Sequence, residues 1–96
     1  MAREIIWTDP AWDDIQAAAE YIARDSDYYA AAFVLEVREA DESLREMAER
    51  GQIVPEFQDP HIRELLIGSY RLIYHLMPEQ VAIVAVVHGA RRLWRI

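Results

Sequence analysis

The residue types that most often catalyse reactions are sparse in this sequence and widely separated. The chain has 96 residues, with three histidines and no cysteine. His61, His75 and His88 are thirteen or more residues apart, so no H-x-x-x-H or H-x-H pair is present to bind a metal. The sequence contains no G-x-S-x-G, phosphate-loop or G-x-G-x-x-G motif. We therefore expect no metal, no cofactor and no conventional catalytic nucleophile.

Charge is distributed unevenly along the chain. All ten basic residues are arginine, and the formal net charge is -7. Residues 1–50 carry thirteen acids against five arginines, a balance of -8, whereas residues 51–96 carry four acids against five arginines, a balance of +1. The absence of lysine removes lysine-based acid–base chemistry. We expect the acid pairs Asp13-Asp14 and Asp41-Glu42 to lie on solvated helix faces.

Two arginine-bearing features remain as candidates for function. Arg71 lies between apolar neighbours in a predicted strand. Counting outward from a Gly68-Ser69 turn pairs Leu66 with Arg71 and puts Glu64 diagonally on the same face, so an ion pair with Glu64 is the alternative to a functional role. Residues 89–96, "GARRLWRI", form a basic segment that we call the tail. The tail binds phosphate or an acidic partner, forms a frayed and solvated end, or packs back onto the sheet through Trp94 and Ile96 as a structural cap.

The apolar periodicity predicts the elements that position these side chains. A strand is expected at Glu4–Trp7, a helix from Thr8 or Asp9 to about Ala23, and a second helix from Ser26 or Asp27 to Gly51. Residues 52–60 are predicted to form a proline-rich loop, followed by strands at 62–67, 70–76 and 81–87. The predicted fold class is α+β, with an N-terminal strand and an antiparallel two-helix hairpin packed on a three-strand antiparallel meander. One domain is expected over residues 1–96.

The same pattern predicts the core and the cellular setting. We expect the helices to cover one face of the meander, and the buried set to be Phe33, Val37, Leu44 and Met47 beneath Leu72, Tyr74, Ile83 and Val86. The apolar run 81–87 is far shorter than the roughly 20 residues of a membrane-spanning helix. The N-terminus shows no signal-peptide pattern. These features, with the lack of cysteine, are typical of a cytoplasmic protein.

Two motifs add a family resemblance. R-E-L-x-x-G-x-Y-R-L-I-Y runs from Arg63 to Tyr74, and V-x-H-G-x-R runs from Val86 to Arg91. These motifs follow two predicted amphipathic helices in the sequence. In that order they resemble the ParE/RelE superfamily of toxins from bacterial type II toxin–antitoxin systems. The resemblance covers nearly the whole chain. It implies a cognate antitoxin whose C-terminal segment wraps the toxin and folds as it binds.

The two branches of this superfamily differ in chemistry. The RelE-like branch cleaves mRNA on the ribosome with a set of basic residues and a C-terminal tyrosine. Arg71 and Arg91 match two of its arginines, but its lysines fall at Ile62 and Glu64, and its tyrosine would lie beyond Ile96. The ParE-like branch poisons DNA gyrase by binding and needs none of these residues, so it resembles this sequence better. A ribosome-dependent ribonuclease and a non-toxic antitoxin-binding module remain as alternatives.

The resemblance and the charge pattern together give two sets of site residues. A ParD-like antitoxin helix is expected in a groove of the acidic helix hairpin, by the helix-in-groove mode. DNA gyrase is expected to meet the end of the last strand, where His88, Arg91, Arg92 and Trp94 would project beside Arg71. Direct contact with nucleic acid is left open. The expected antitoxin-binding residues are Trp12, Ile15, Ala19, Tyr21, Ile22, Phe33 and Val34. The expected target-binding residues are Arg71, His88, Arg91, Arg92 and Trp94.

Overall fold

The computed structural model of the chain describes residues 2–91 and residue 93. These residues form two helices and a five-stranded sheet. The elements are β1 (Glu4–Trp7), α1 (Asp9–Ala23), α2 (Asp27–Ser43), β2 (Gln52–Ile53), β3 (Ile62–Ile67), β4 (Tyr70–Leu76) and β5 (Gln80–His88). The α+β class, the helix hairpin and the meander β3-β4-β5 are confirmed. Neither helix in the described part of the chain is long and apolar enough to cross a membrane.

Both helices begin at the residues whose side chains can cap them. The Thr8 backbone is extended, and its hydroxyl accepts a hydrogen bond from the Ala11 N–H at 3.3 Å. The Ser26 hydroxyl accepts in the same way from the Tyr29 N–H at 3.1 Å. Each cap satisfies one of the amides that the first helical turn leaves without an intrahelical partner. The predicted starts of both helices are therefore confirmed.

The predicted end of α2 at Gly51 is wrong. The helix ends at Ser43, whose hydroxyl donates to the Ala40 carbonyl at 2.6 Å and so competes with the helical hydrogen-bond pattern. Turns follow, and they still bury Leu44 and Ala48, which explains why the helical spacing of apolar residues continues past the helix. Met47 is 55% exposed, so its predicted burial is also wrong.

The sheet has the strand order β1-β5-β4-β3-β2. The β3-β4 turn has Gly68 at φ 58°, in the left-handed region that glycine enters without strain, and it pairs Leu66 with Arg71 as predicted. Two pairings were not predicted: β1 joins β5 in parallel, and β2 adds to β3 inside the segment expected to be a loop. The helices cover the face of Leu72 and Tyr74. We call the opposite face, which carries Leu66 and Arg71, the outer face.

The core lies between the helix hairpin and the covered face of the sheet. Phe33, Val37 and Leu44 are buried there with Leu72, Tyr74, Ile83 and Val86, as predicted.

Two of the acids expected on solvated helix faces instead contact the rest of the fold. Asp14 accepts from the Val86 N–H at 3.0 Å, and Asp41 is 2% exposed and accepts from Trp7 Nε1 at 2.8 Å. Burial without a fully compensating charge raises the pKa of Asp41.

Candidate functional site

Arg71 lies at the centre of a buried ion-pair cluster on the outer face of the sheet. Its Nε donates to Glu64 Oε1 at 2.6 Å, and its two Nη atoms donate to the two carboxylate oxygens of Glu56 at 2.7 and 2.8 Å. The side chains of Arg71, Glu64 and Glu56 are 7%, 4% and 13% exposed. The ion pair with Glu64 that was predicted from the turn is confirmed. Glu56, from the loop between β2 and β3, was not predicted.

Hydrogen bonding within the cluster favours the ionised forms of Glu56 and Arg71. The bidentate hydrogen bonds from Arg71 lower the pKa of Glu56 to about 2, and burial opposes this shift without reversing it. The same bonds raise the pKa of Arg71 above its already high value. One guanidinium therefore faces two carboxylates, and the cluster carries a formal charge of -1. The negative net charge of the cluster disfavours an incoming phosphate.

The first residues of the tail are attached to this cluster through their main chain. The Gly89 N–H donates to the Ser69 carbonyl at 2.6 Å, where β5 has just ended. Arg71 Nη1 donates to the Arg91 carbonyl at 3.2 Å, and the Leu93 N–H donates to Glu56 Oε2 at 3.1 Å. Arg91 itself is exposed. The expectation that Arg91 lies beside Arg71 is therefore confirmed, but the contact uses backbone atoms.

The expectation that His88 also lies beside Arg71 is wrong. In the β4-β5 ladder His88 pairs with Tyr70, whereas Arg71 pairs with Val87, so His88 and Arg71 are on opposite faces. The His88 ring packs edge-on against Tyr70, with ring centroids 5.5 Å apart. Arg92 and Trp94, the other predicted target-binding residues, lie outside the described residues.

The predicted antitoxin-binding residues divide into core and surface. Ile15 and Phe33 are 5% and 7% exposed and belong to the core, so their expected place in an open groove is wrong. Ala19, Ile22 and Val34 are half-buried around that core. Trp12 and Tyr21 are 45% and 62% exposed.

Trp12 and Tyr21 present separate surfaces. They are nine residues apart on α1, which turns one about 180° from the other around the helix axis. Trp12 packs edge-on against Trp7 at 5.6 Å, whereas Tyr21 lies under the Arg24 guanidinium at 5.7 Å. One straight partner helix cannot cover both.

The periodicity argument missed three other exposed apolar residues on α2. Tyr28, Tyr29 and Leu35 are 76%, 66% and 61% exposed. They lie outside the core-facing stripe of α2. Three large apolar side chains outside that stripe are a signal that could have identified them from the sequence. With Tyr21, they place exposed apolar side chains on a helix hairpin that is otherwise rich in carboxylates.

The described residues present charged and apolar surfaces that suit binding. In residues 2–91 and 93, no three His, Asp or Glu side chains are grouped closely enough to hold a metal. His61 has a carboxylate neighbour, Asp59 at 3.3 Å, but both side chains lie in an exposed turn. Ser26 and Ser43 use their hydroxyls for a helix cap and a helix end. The chemistry that these residues support is recognition by charge and by apolar contact.

Comparisons with known proteins agree with this description. The family model described as "ParE toxin of type II toxin-antitoxin system, parDE" matches residues 5–93. Toxin RelE2 of Caulobacter vibrioides is 32% identical to this chain over 89 residues, which is 92% of this chain and 97% of that toxin. A solved structure described as the chromosomal ParDE TA system from P. aeruginosa has the same fold. Its TM-score is 0.72 at 19% identity, over 91% of this chain and 96% of that one.

Proposed function

Because the chain belongs to the ParE toxin family of type II toxin–antitoxin systems, we propose that it poisons DNA gyrase by binding it and that a ParD-like antitoxin neutralises it. The observation that carries a binding function is the state of Arg71. A nuclease of the RelE type would use this arginine to hold the scissile phosphate. Here Glu56 and Glu64 already occupy its Nε and both of its Nη atoms.

The acidic character of the chain supports the same choice. A ribonuclease acting on the ribosome benefits from attraction to RNA, and a chain of net charge -7 is repelled by it. The tail is the exception, because Arg91 is exposed at the end of β5 and two further arginines follow it in the sequence. A local basic segment suits a defined contact with a protein or with protein-bound DNA. We assign this contact to the tail, with Arg91, Arg92 and Trp94 as its residues.

Arg71 supports the proposed gyrase contact indirectly, through the backbone of the tail. Its side chain is 7% exposed and its guanidinium is bonded to the Arg91 carbonyl. It therefore contributes to the proposed gyrase-binding surface by holding the tail, and does not itself reach the target.

The helix hairpin is the proposed antitoxin surface. Its exposed rings Trp12 and Tyr21 lie among the carboxylates of the acidic half of the chain. Such a surface is complementary to an amphipathic segment with apolar anchors and a basic rim. Because the two rings face about 180° apart on α1, the antitoxin contacts both only by wrapping around the helix.

Purified chain tests the target assignment directly. We expect inhibition of gyrase supercoiling with accumulation of cleaved DNA, and Arg91→Ala with Arg92→Ala should weaken this by about tenfold or more. Arg24→Ala with Arg50→Ala removes the same charge from the helix hairpin and the turns after it, and should leave inhibition unchanged. Cleavage of ribosome-bound mRNA would instead identify a ribonuclease. If the chain shows neither activity but still binds the antitoxin, it is a non-toxic binding module.

Single variants test the antitoxin surface. Trp12→Ala and Tyr21→Ala should each weaken binding of the antitoxin encoded beside this chain, measured by calorimetry. Leu66→Ala, which removes a 65% exposed apolar side chain from the outer face, is the matched control. Unchanged affinity in both helix variants would exclude this surface, and a loss in only one would show which side of α1 the antitoxin uses.

A further inference from the structure

The described part of the tail, residues 89–91 and 93, folds over the outer face of the sheet as it leaves β5. Three main-chain contacts fix its path, from Gly89 to Ser69, from Arg91 to Arg71 and from Leu93 to Glu56. All three use backbone atoms of the tail. The side chain of Arg91 is therefore left exposed while its backbone is held.

Glu56 connects the tail to the sheet. Its Oε2 accepts from both Arg71 Nη1, at 2.8 Å, and the Leu93 N–H, at 3.1 Å, and its Oε1 accepts from Arg71 Nη2 at 2.7 Å. Glu64 bonds to the same arginine, but its second oxygen accepts from Gln52 Nε2 at 2.7 Å. Among the described side chains, Glu56 is the carboxylate that bonds to both Arg71 and the tail.

We propose that Glu56 is a positioning residue that latches the tail to the outer face of the sheet through Arg71. The latch sets the direction in which the Arg91 side chain leaves the fold. Its effect on gyrase rests on the function proposed above, whereas the latch itself is a property of the isolated chain.

The cluster is suited to this role because it joins the sheet to two segments that lie outside the strands. Glu64 and Arg71 are on adjacent strands and are buried, so the guanidinium is fixed from the sheet side. Glu56 lies in the loop between β2 and β3, and the tail lies beyond the last strand. Charge-assisted hydrogen bonds to a fixed arginine therefore order two segments that have no strand pairing of their own.

Two isosteric variants separate the latch from the ion pair. Glu56→Gln and Glu64→Gln each remove one carboxylate charge beside Arg71, but Glu56 alone of the two contacts the tail. We expect the Leu93 amide to exchange hydrogen about tenfold faster in Glu56→Gln, in line with the loss of a charge-assisted hydrogen bond. The exchange rate at Leu93 in Glu64→Gln should stay within about twofold of the parent. Gyrase inhibition should weaken in Glu56→Gln and recover in Glu56→Asp, if the shorter carboxylate rebinds Arg71 and slows exchange again.

Each result bears on a separate claim. Unchanged Leu93 exchange in Glu56→Gln, or an equal increase in Glu64→Gln, would overturn the latch whatever the target is. Faster exchange with undiminished gyrase inhibition would overturn the positioning role. If the parent chain does not inhibit gyrase, the proposed function fails, and the exchange measurement still decides whether the latch exists.

Discussion

The hydroxyl of Tyr74 joins the sheet to the segment that follows α2, and its removal is a sharp test of the fold. Tyr74 is fully buried, donates to the Ala48 carbonyl at 2.7 Å and accepts from the Gly51 N–H at 3.0 Å. Tyr74→Phe keeps the ring and leaves both backbone groups without that partner. A buried group that loses its hydrogen bond costs about 1–3 kcal/mol. Allowing for partial relaxation of the segment, we expect the free energy of unfolding to fall by about 2–3 kcal/mol.

Urea unfolding followed by circular dichroism measures this loss. For a chain of this length the melting temperature should fall by about 8–24 °C, at roughly 4–8 °C for each kcal/mol. Tyr28→Phe is the matched control, because it removes the same hydroxyl from a side chain that is 76% exposed. A Tyr74→Phe variant within about 0.5 kcal/mol of the parent, the ordinary range of surface substitutions, would refute the argument.

Three further variants test other parts of the structure. Phe33→Ala should lower the free energy of unfolding by about 3–5 kcal/mol, because it empties a core position, and a melting temperature near that of the parent would mean that the inward face of α2 is misassigned. Gly51→Ala should destabilise the chain by about 3 kcal/mol in urea unfolding, since a Cβ there would lie 2.5 Å from Tyr74 Oη and 2.7 Å from the Glu64 carbonyl. Asp41→Asn should stabilise the chain at pH 7 and lose that gain at pH 3, measured by unfolding across pH. Burial raises the pKa of Asp41 in the folded chain, so folding opposes ionisation and stability falls as pH rises above the unfolded value of 3.8. A pH-independent difference would contradict this reasoning.

The local part of the site was predictable from the sequence, and the part that depends on loops was not. Gly68 and Ser69 set the register of β3 and β4, and that register alone brings Glu64 to Arg71. Glu56 reaches the same guanidinium from a loop, where no periodicity records the path of the chain. The two-residue β2 is too short to carry a pattern, and the parallel pairing of β1 with β5 is a tertiary contact that neither strand encodes alone.

The position of His88 shows how one extra residue in a strand can place a later side chain on the opposite face of the sheet. From Leu76↔Val81 to Tyr74↔Ile83 the β4-β5 ladder is regular, but Ile73 then pairs with Ala85 and Val84 is passed over. An uninterrupted ladder would place His88 opposite Ser69, on the face of Arg71. The bulge shifts the pairing by one residue and so moves His88 to the helix-covered face. Apolar residues fill this part of β5, so its sequence gives no sign of the interruption.

The parallel pairing of β1 with β5 has a consequence for the order of folding. Glu4 pairs with Gln80, so the first strand finds its neighbour 76 positions later in the chain. The helix hairpin and the β3-β4 and β4-β5 hairpins close short loops and can form early, whereas β1 must close a loop that contains almost all of the fold. A chain emerging from the ribosome therefore cannot complete its sheet until β5 has been synthesised. The tail follows β5 directly, so the finished sheet and the segment latched across it become available in the same interval of synthesis.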